Sequence, residues 1–204
     1  MQKESNEKRR IILTWFFVLG LATLVFLSVS AWEQHPILEE TIFFSSCFLI
    51  GIGAIGRAWC AIFISGRKDG MLVQSGPYAM CRNPLYFFSF LAAIGVGLGT
   101  ETFTIPVIVM IAFAVYYPIV IAAEERRLEA LFGDEFRNYA KSVPCFFPRW
   151  SLLKGNEPDA WPVCTTAVRR TLFDLLWFFW IVGLLELLEA FHETGVVPVV
   201  FHLF

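Results

Sequence analysis

The hydrophobic residues of this 204-residue chain are gathered into five long apolar runs that polar segments separate. The runs cover approximately residues 11–32, 37–65, 84–99, 103–122 and 172–191. A helix that crosses the hydrocarbon core of a bilayer needs about 20 mostly apolar residues. The pattern therefore predicts an all-α, multi-pass integral membrane protein with about five transmembrane helices.

The last run leaves an alternative open, because it contains Asp174, Glu186 and Glu189. Acidic side chains are costly in hydrocarbon, so this run either spans the membrane or lies in its interface, and in the second case the chain has four spans. The short acidic link around Glu101 predicts that the third and fourth runs form a tight helical hairpin.

The distribution of basic residues predicts the orientation. Of the 16 Lys and Arg, 15 lie in segments 1–10, 67–82 and 124–170, and Arg57 lies in the inner part of the second run. Segments 33–40, 100–102 and 192–204 contain none. Basic segments stay on the cytoplasmic side, so we expect a cytoplasmic N-terminus and a C-terminus on the other side. The first run is too long for a signal-peptide core and is expected to be retained.

Composition agrees with a membrane protein and narrows the chemistry. The chain is 57% hydrophobic and 17% charged, whereas soluble domains carry about 25% charged residues. Its five cysteines form no CxxC pair, which predicts neither a zinc site nor a disulfide framework. Glu186, Glu189 and His192 have a spacing that can hold a metal but lack a second ligand set. We therefore expect no metal site, and we expect no nucleic-acid partner.

The polar segment after the fourth run predicts further helical structure. Residues 123–133 continue the fourth span as a helix that ends at Gly133, and a short helix follows over 134–141. We divide the chain into N-terminal transmembrane helices (1–56), a core with the hairpin and cytosolic helices (57–150), and a linker with the last transmembrane helix (151–204).

Segment 70–86 carries the first candidate site. Asn83-Pro84 is typical of a helix start, and a helix N-terminus offers free N–H groups to an anion, with Arg82 beside it. Residues 75–77 predict a tight turn that keeps Met71, Leu72 and Val73 extended. Tyr78 and Tyr86 belong either to an interfacial aromatic belt or to the wall of a site for a cationic ligand.

Two further groups of charged residues lie at membrane depth. Glu124 and Glu125 follow the fourth span, and they either form a solvated helix face with Arg126 and Arg127 or bind a ligand. Helical geometry separates them by about 100°, so they cannot both face one pocket. Arg57 either extends to the interface or holds an acidic group of a substrate.

Two blocks of sequence resemble a known family. These are GMLVQSGPYAMCRNPLY (70–86) and AEERRLEALFGDEFRNYAKSVPCFFP (123–148). Together they are similar to the isoprenylcysteine carboxyl methyltransferases and their relatives, which include phospholipid N-methyltransferases. The resemblance covers about half of the chain, from near Arg57 to Arg149, and two correctly spaced blocks are more specific than one.

The resemblance implies a methyltransferase that binds S-adenosylmethionine in a pocket open to the cytosol and takes a lipid or hydrophobic acceptor from the bilayer. It implies cofactor contacts from Gly70, Met71, Leu72, Val73, Tyr78, Asn83, Pro84, Leu85, Tyr86 and Glu124, with Glu125 as the alternative carboxylate.

The chain departs from the family at two positions. Asn83 stands where the family often has His, and Val120 stands where it has a substrate-binding Arg, four residues before Glu124. Methylation of a carboxylate needs no base, whereas an amine or thiol acceptor would have to lose a proton. The acceptor therefore stays open among these three. Arg57 and Arg82 are the catalytic candidates, since either would replace the missing positive charge.

Two other functions remain open. A membrane reductase of the sterol type would use NADPH, whose phosphate Arg67, Lys68 and Arg82 would bind. A non-catalytic membrane scaffold would keep the fold without the chemistry. We expect the inner membrane of a bacterium rather than the endoplasmic reticulum.

Overall fold

The computed structural model describes residues 2–32, 34–67, 70–153 and 161–204. Within them the chain forms seven α-helices and two short strands. The helices are α1 (Gln2–Phe26), α2 (Pro36–Ile64), α3 (Pro77–Met80), α4 (Pro84–Leu98), α5 (Thr104–Phe132), α6 (Asp134–Ser142) and α7 (Thr165–Glu193). The strands are β1 (Ser28–Ser30) and β2 (Phe201–Leu203), and a 3-10 turn covers Trp150–Leu152.

Five helices follow the five apolar runs, which confirms an all-α membrane protein. Among the described residues, α2, α5 and α7 are long and apolar enough to cross a membrane, and Thr14–Phe26 and Pro84–Leu98 are shorter apolar helices. The 15 residues of α4 extend only about 22 Å, less than the roughly 30 Å of hydrocarbon. This helix lies at the centre, where it packs against α2, α5 and α7.

Glycines allow α2 and α4 to approach closely. A Cβ atom added to Gly53 would lie 2.6 Å from the Cβ of Ala92, and one added to Gly56 would lie 2.1 Å from the ring of Phe88. Gly95 of α4 faces Ile50 of α2 in the same way. The small residues at these positions therefore serve helix packing, as is common in membrane proteins.

The bundle has two ends. We call the end with residues 65–67, 70–83 and 124–153 the basic end, and the end with residues 27–32, 34–35, 99–103 and 194–204 the acidic end. Helix α7 connects them: a Cβ on Gly66 would lie 3.2 Å from that of Cys164, and a Cβ on Gly99 would lie 3.2 Å from Leu185. Because α7 runs the length of the bundle, its geometry favours a span over an interfacial helix.

The acidic end differs from the prediction. Helix α1 ends at Phe26 instead of residue 32, and β1 pairs in parallel with β2, with Ser28 opposite Phe201. Three-residue strands are too short to show an alternating pattern, so hydrophobic patterning does not predict them. The carbonyl of Phe204 accepts hydrogen bonds from the N–H groups of Phe103 and Thr104 at 2.8 and 2.6 Å, where α5 begins.

The helix of the fourth apolar run continues to Phe132, as predicted. Helix α5 contains Pro118, which cannot donate a backbone hydrogen bond. Its C-cap is Gly133, with a φ of 54°, a conformation that glycine adopts without strain. Helix α6 follows at once, over Asp134–Ser142.

Candidate functional site

The loop between α2 and α4 forms one wall of the basic end. Gly76 has a φ of 59° and lies against the ring of Phe63, so the predicted tight turn is confirmed. Leu72 is buried against Phe136 and Tyr139. The side chain of Met71 is 46% exposed.

Backbone hydrogen bonds join this loop to the segment that follows α6. The N–H of Arg82 donates to the carbonyl of Pro144, and the N–H of Arg149 donates to the carbonyl of Met80, both at 2.9 Å. The hydroxyl of Tyr139 donates to the carbonyl of Tyr78 at 2.6 Å. The two sequence blocks, separated by the α4–α5 hairpin along the chain, therefore meet in space.

Arg82 lies at the centre of this junction. Its Nε donates to Glu125 Oε1 at 2.8 Å and its Nη2 donates to Glu125 Oε2 at 3.3 Å. Its Nη1 donates to the carbonyls of Ala140 and Val143 at 2.6 and 3.1 Å. A guanidinium has five N–H groups, and four are used here. Burial lowers the pKa of Arg82, but the hydrogen bond and charge of Glu125 outweigh it, so the pKa lies above its usual value.

Asn83 and Cys145 complete the surroundings of Glu125. Asn83 Nδ2 donates to Glu125 Oε1 at 3.3 Å and to the carbonyl of Cys145 at 3.0 Å. The predicted capping side chain is thus turned away from α4, and Asn83 makes no side-chain cap bond. Burial and the charge of Glu125 raise the pKa of Cys145, and burial raises the pKa of Cys81 to about 12. Neither thiol is ionised at neutral pH.

The structure separates the roles of the two adjacent glutamates. Glu125 faces the loop, and 22% of its side chain is exposed. Glu124 lies on another side of α5, where its carboxylate is 3.7 Å from Arg127 and interacts electrostatically with Tyr86 of α4. The charge of Glu124 therefore acts on Tyr86, and we call the region between α4 and α5 around these two residues the α4–α5 cleft.

Aromatic rings line this cleft. The rings of Tyr86 and Tyr117 meet edge to face with centroids 5.3 Å apart. Tyr117 stacks on Phe113 at 3.4 Å, and Phe146 packs edge to face against Phe90 at 6.0 Å. The cleft thus has an apolar wall with hydroxyl groups on it.

Two buried polar atoms near the cleft have no hydrogen-bond partner in the described part of the chain: Arg57 Nε and the hydroxyl oxygen of Tyr78. Arg57 Nη1 donates to the hydroxyl of Ser89, which itself donates to the carbonyl of Leu85 at 2.7 Å. Both Arg57 and Tyr78 interact electrostatically with Cys60. Tyr78 belongs to the same buried cluster as Cys60, which lies three residues after Arg57 on α2.

The predicted site residues all lie at or near the basic end, in different surroundings. Leu72, Val73, Tyr78, Asn83 and Pro84 are buried, whereas Gly70 and Met71 are exposed. Leu85, Tyr86, Glu124 and Arg57 are half-buried around α4. Sequence reasoning missed Ser89 and Tyr117. The signal for both was a hydroxyl inside an apolar run, because polar groups at that depth need partners.

A separate cavity of about 550 Å³ opens at the acidic end. Its walls include Glu39 of α2, Glu101 of the α4–α5 link, and Glu189 and His192 of α7. Among the residues that the structure describes, no three His, Cys, Asp or Glu side chains are placed to hold a metal ion together.

Comparisons with known proteins agree with this architecture. Residues 37–135 match the family model described as phospholipid methyltransferase. The cobalt-zinc-cadmium resistance protein CzcN of Cupriavidus metallidurans is 40% identical over 151 residues, 74% of this chain and 68% of the relative. The nickel-cobalt-cadmium resistance protein NccN of Alcaligenes xylosoxydans xylosoxydans is 43% identical over 129 residues, 63% of this chain and 59% of the relative.

A third relative connects the chain to an enzyme of the resembled family. The protein-S-isoprenylcysteine O-methyltransferase of Schizosaccharomyces pombe is 32% identical over 94 residues, 46% of this chain and 40% of the enzyme. No solved structure gives a significant match. The chain belongs to the family of integral membrane methyltransferases that unites the isoprenylcysteine carboxyl methyltransferases with the phospholipid methyltransferases.

Proposed function

We propose that the protein transfers a methyl group from S-adenosylmethionine to a hydrophobic or membrane-borne acceptor at its basic end. The observation that carries the proposal is the junction of the two sequence blocks, where the loop 70–83 is fastened to the segment after α6 beside the α4–α5 cleft. A membrane reductase of the NADPH type has no comparable support from the family match.

The residues of the cleft fit this cofactor. The hydroxyl of Tyr78 is a buried donor without a partner in the described chain, and burial raises its pKa, so it stays protonated. Glu124 would bind the ammonium group or the ribose hydroxyls. The ring faces of Tyr86 and Tyr117 would accept the sulfonium, because aromatic faces attract cations. The bound cofactor supplies an electrophilic methyl group.

Other residues would form the remainder of the binding surface. The backbone of Gly70, Met71, Leu72 and Val73 would contact the adenine, and Asn83, Pro84 and Leu85 would contribute the start of α4. Arg82 and Glu125 would act as positioning residues, because their hydrogen bonds hold the loop in place. The fastened loop would then present its backbone in one conformation, which lowers the entropic cost of binding.

No histidine lies at the basic end, so no imidazole base is available there. The three histidines of the chain are His35, His192 and His202. His35 precedes α2, His192 contacts the carbonyl of Phe26, and His202 lies in β2, all at the acidic end. Alignment of the acceptor and exclusion of water would therefore provide most of the rate acceleration.

Calorimetric titration of S-adenosylhomocysteine into detergent-purified protein tests the proposal. We expect saturable binding to the wild type and loss of binding in Tyr86→Ala and in Glu124→Gln. Glu129→Gln is the matched control, because Glu129 is an exposed carboxylate of the same helix that pairs with Arg137. Absence of binding to folded wild-type protein would overturn the proposal, and binding of NADPH instead would favour the reductase.

The names of two relatives suggest a cellular role. Both are resistance proteins for divalent metals, and one shares 40% identity over 74% of this chain. We propose that methyl transfer by this protein supports metal tolerance. In a metal-sensitive strain that lacks its own relative, the wild type should restore growth on cobalt or cadmium and Glu124→Gln should not. Full restoration by Glu124→Gln would instead favour the scaffold function.

A further inference from the structure

Arg57 is a charged residue whose hydrogen-bonding capacity is only partly used. It lies in α2, seven residues before the helix ends at Ile64, or about 10 Å along the helix axis from the basic end. Its Nη1 donates to Ser89, while its buried Nε has no partner. Within the described residues it forms no ion pair with a carboxylate.

This arrangement is energetically costly for the protein alone. A guanidinium keeps its charge at any physiological pH. Placing a charge at membrane depth is unfavourable unless an opposite charge or hydrogen bonds compensate. A serine hydroxyl supplies one neutral acceptor and leaves the positive charge unbalanced. An anion that accepts hydrogen bonds from the guanidinium would supply both the missing negative charge and the missing hydrogen-bond acceptors.

The surroundings of Arg57 place this charge beside the proposed methyl-transfer cleft. Arg57 donates to Ser89, which lies three residues after Tyr86 and therefore on the same side of α4, and the ring of Tyr86 meets that of Tyr117. Arg57 therefore lies deeper in the bundle than Tyr86, on the side of α4 that carries Tyr86. Glu124 would bind the cofactor at the basic end itself.

We propose that Arg57, held by Ser89, is the binding site for an oxyanion, a carboxylate or a phosphate, on the membrane-borne acceptor. The inference rests on the proposed function only in identifying the bound anion as part of the methyl acceptor. The anion-binding site itself does not depend on that function. The acceptor is then an anionic amphiphile.

Binding of radiolabelled stearate to purified protein in a neutral maltoside detergent tests the site, with octadecyl phosphate and octadecanol as competitors. We expect octadecanol to compete at least about tenfold more weakly than the better anion, because charged hydrogen bonds to guanidinium are lost. The relative strength of stearate and octadecyl phosphate identifies the headgroup. Octadecanol that competes as well as both anions would overturn the proposal.

Variants locate the site. Arg57→Gln should weaken stearate binding about tenfold or more, and Arg57→Lys should weaken it less, because it keeps the charge but loses the planar donor pair. Arg169→Gln removes an exposed arginine of α7 and should leave binding unchanged. Equal affinity in Arg57→Gln and the wild type would place the anion elsewhere. If Arg57→Gln does not fold, the competition in the wild type still decides.

Titration of S-adenosylhomocysteine into the same preparations separates the two proposals. If wild-type protein binds S-adenosylhomocysteine but binds octadecanol as well as the anions, the methyltransferase function stands and the Arg57 site is refuted. Protein that binds stearate through Arg57 but no S-adenosylhomocysteine keeps the anion site and refutes the methyltransferase function.

Discussion

At the scale of single residues, the clearest feature is the division between two adjacent carboxylates. Glu125 accepts two hydrogen bonds from Arg82 and one from Asn83, all within a half-buried junction. Glu124 is more exposed and faces Tyr86. One carboxylate thus stabilises the fold of the loop, and the other is available to a ligand.

Substitution of each glutamate should therefore affect a different property. Glu125→Gln should destabilise the protein by about 1–3 kcal/mol, because it leaves the charge of Arg82 without its partner. In a chain of this size the melting temperature should fall by about 2–4 °C per kcal/mol. Thermal unfolding in detergent measures the loss.

Glu124→Gln is the matched control, since it changes the same group one residue away. It should melt within about 1 °C of the wild type, as exposed ion pairs contribute little, and yet lose cofactor-product binding. Equal melting temperatures for the two variants would contradict the separate roles of these residues.

These residues also show how far the sequence leads. The motif and the family resemblance identified both glutamates, and helical geometry required them to point in different directions. The choice between them depends on where Arg82 and Asn83 lie in space, and these residues are 43 and 42 positions away along the chain from Glu125. No local pattern contains that information. Ser89 was missed for the same reason, because only its contact with Arg57 of α2 gives it a role.

At the scale of helices, the contact between α2 and α4 depends on the absence of side chains. Gly56→Ala should destabilise the protein by about 1–3 kcal/mol, because the new methyl group would overlap the ring of Phe88. Gly51→Ala is the control on the same helix: nothing lies within 4 Å of its Cβ position. Thermal unfolding of both variants gives the comparison.

A second substitution tests the cause. Phe88→Leu in the Gly56→Ala background should restore part of the lost stability, because the smaller side chain leaves room for the methyl group. If Gly56→Ala and Gly51→Ala have the same melting temperature, α2 and α4 do not make the contact described.

The link between α4 and α5 should make stability depend on pH. Glu101 has a φ of 55° and faces the acidic-end cavity. Burial, and then the charges of Glu189, Glu39 and Glu186, raise the pKa of Glu101 from 4.5 to about 7. The folded protein thus holds a proton that the unfolded chain releases. The contribution of Glu101 to stability should be greatest below pH 4.5 and should decline as pH rises through about 7.

Thermal unfolding across this pH range measures the effect. Glu101→Gln should flatten the decline, because an amide cannot ionise, whereas Glu40→Gln, an exposed carboxylate at the start of α2, should preserve it. Other groups at the cavity, including Glu193, His192 and His202, contribute to the slope that remains. A wild-type melting temperature that rises from pH 4.5 to 7 would contradict the assignment.

At the scale of the whole molecule, the basic residues gather at one end of the bundle and α7 returns the chain to the other. We propose a cytoplasmic basic end, because 15 of the 16 Lys and Arg lie in the segments of that side and Arg57 lies in the inner part of the second span. Alkaline phosphatase, which needs disulfides formed outside the cytoplasm, should be active when fused after Phe204 and inactive when fused after Leu153. The opposite pattern would indicate the inverted topology. Activity at neither site would indicate that α7 lies in the membrane interface and does not span the bilayer.

The apolar runs predicted the long helices well because each helix is specified by its own stretch of sequence. The bounds of α2 and α4 fell within a residue or two of the prediction, and Gly133 ended α5 as expected. The acidic end was predicted poorly, since its strands and the contacts of Phe204 depend on pairing between distant segments. Hydrophobic pattern describes how a segment meets the membrane, not which distant backbone it joins.

The parallel strands have a consequence for the order of assembly. Ser28 emerges from the ribosome early, and its partner Phe201 follows only after about 170 further residues have been made. Until then β1 has no strand beside it, and the N–H groups at the start of α5 have no acceptor from Phe204. The helices can insert one after another, but this side of the protein closes only when the final strand arrives. During biosynthesis the chain therefore passes through a state whose helices are in place while one face is still open.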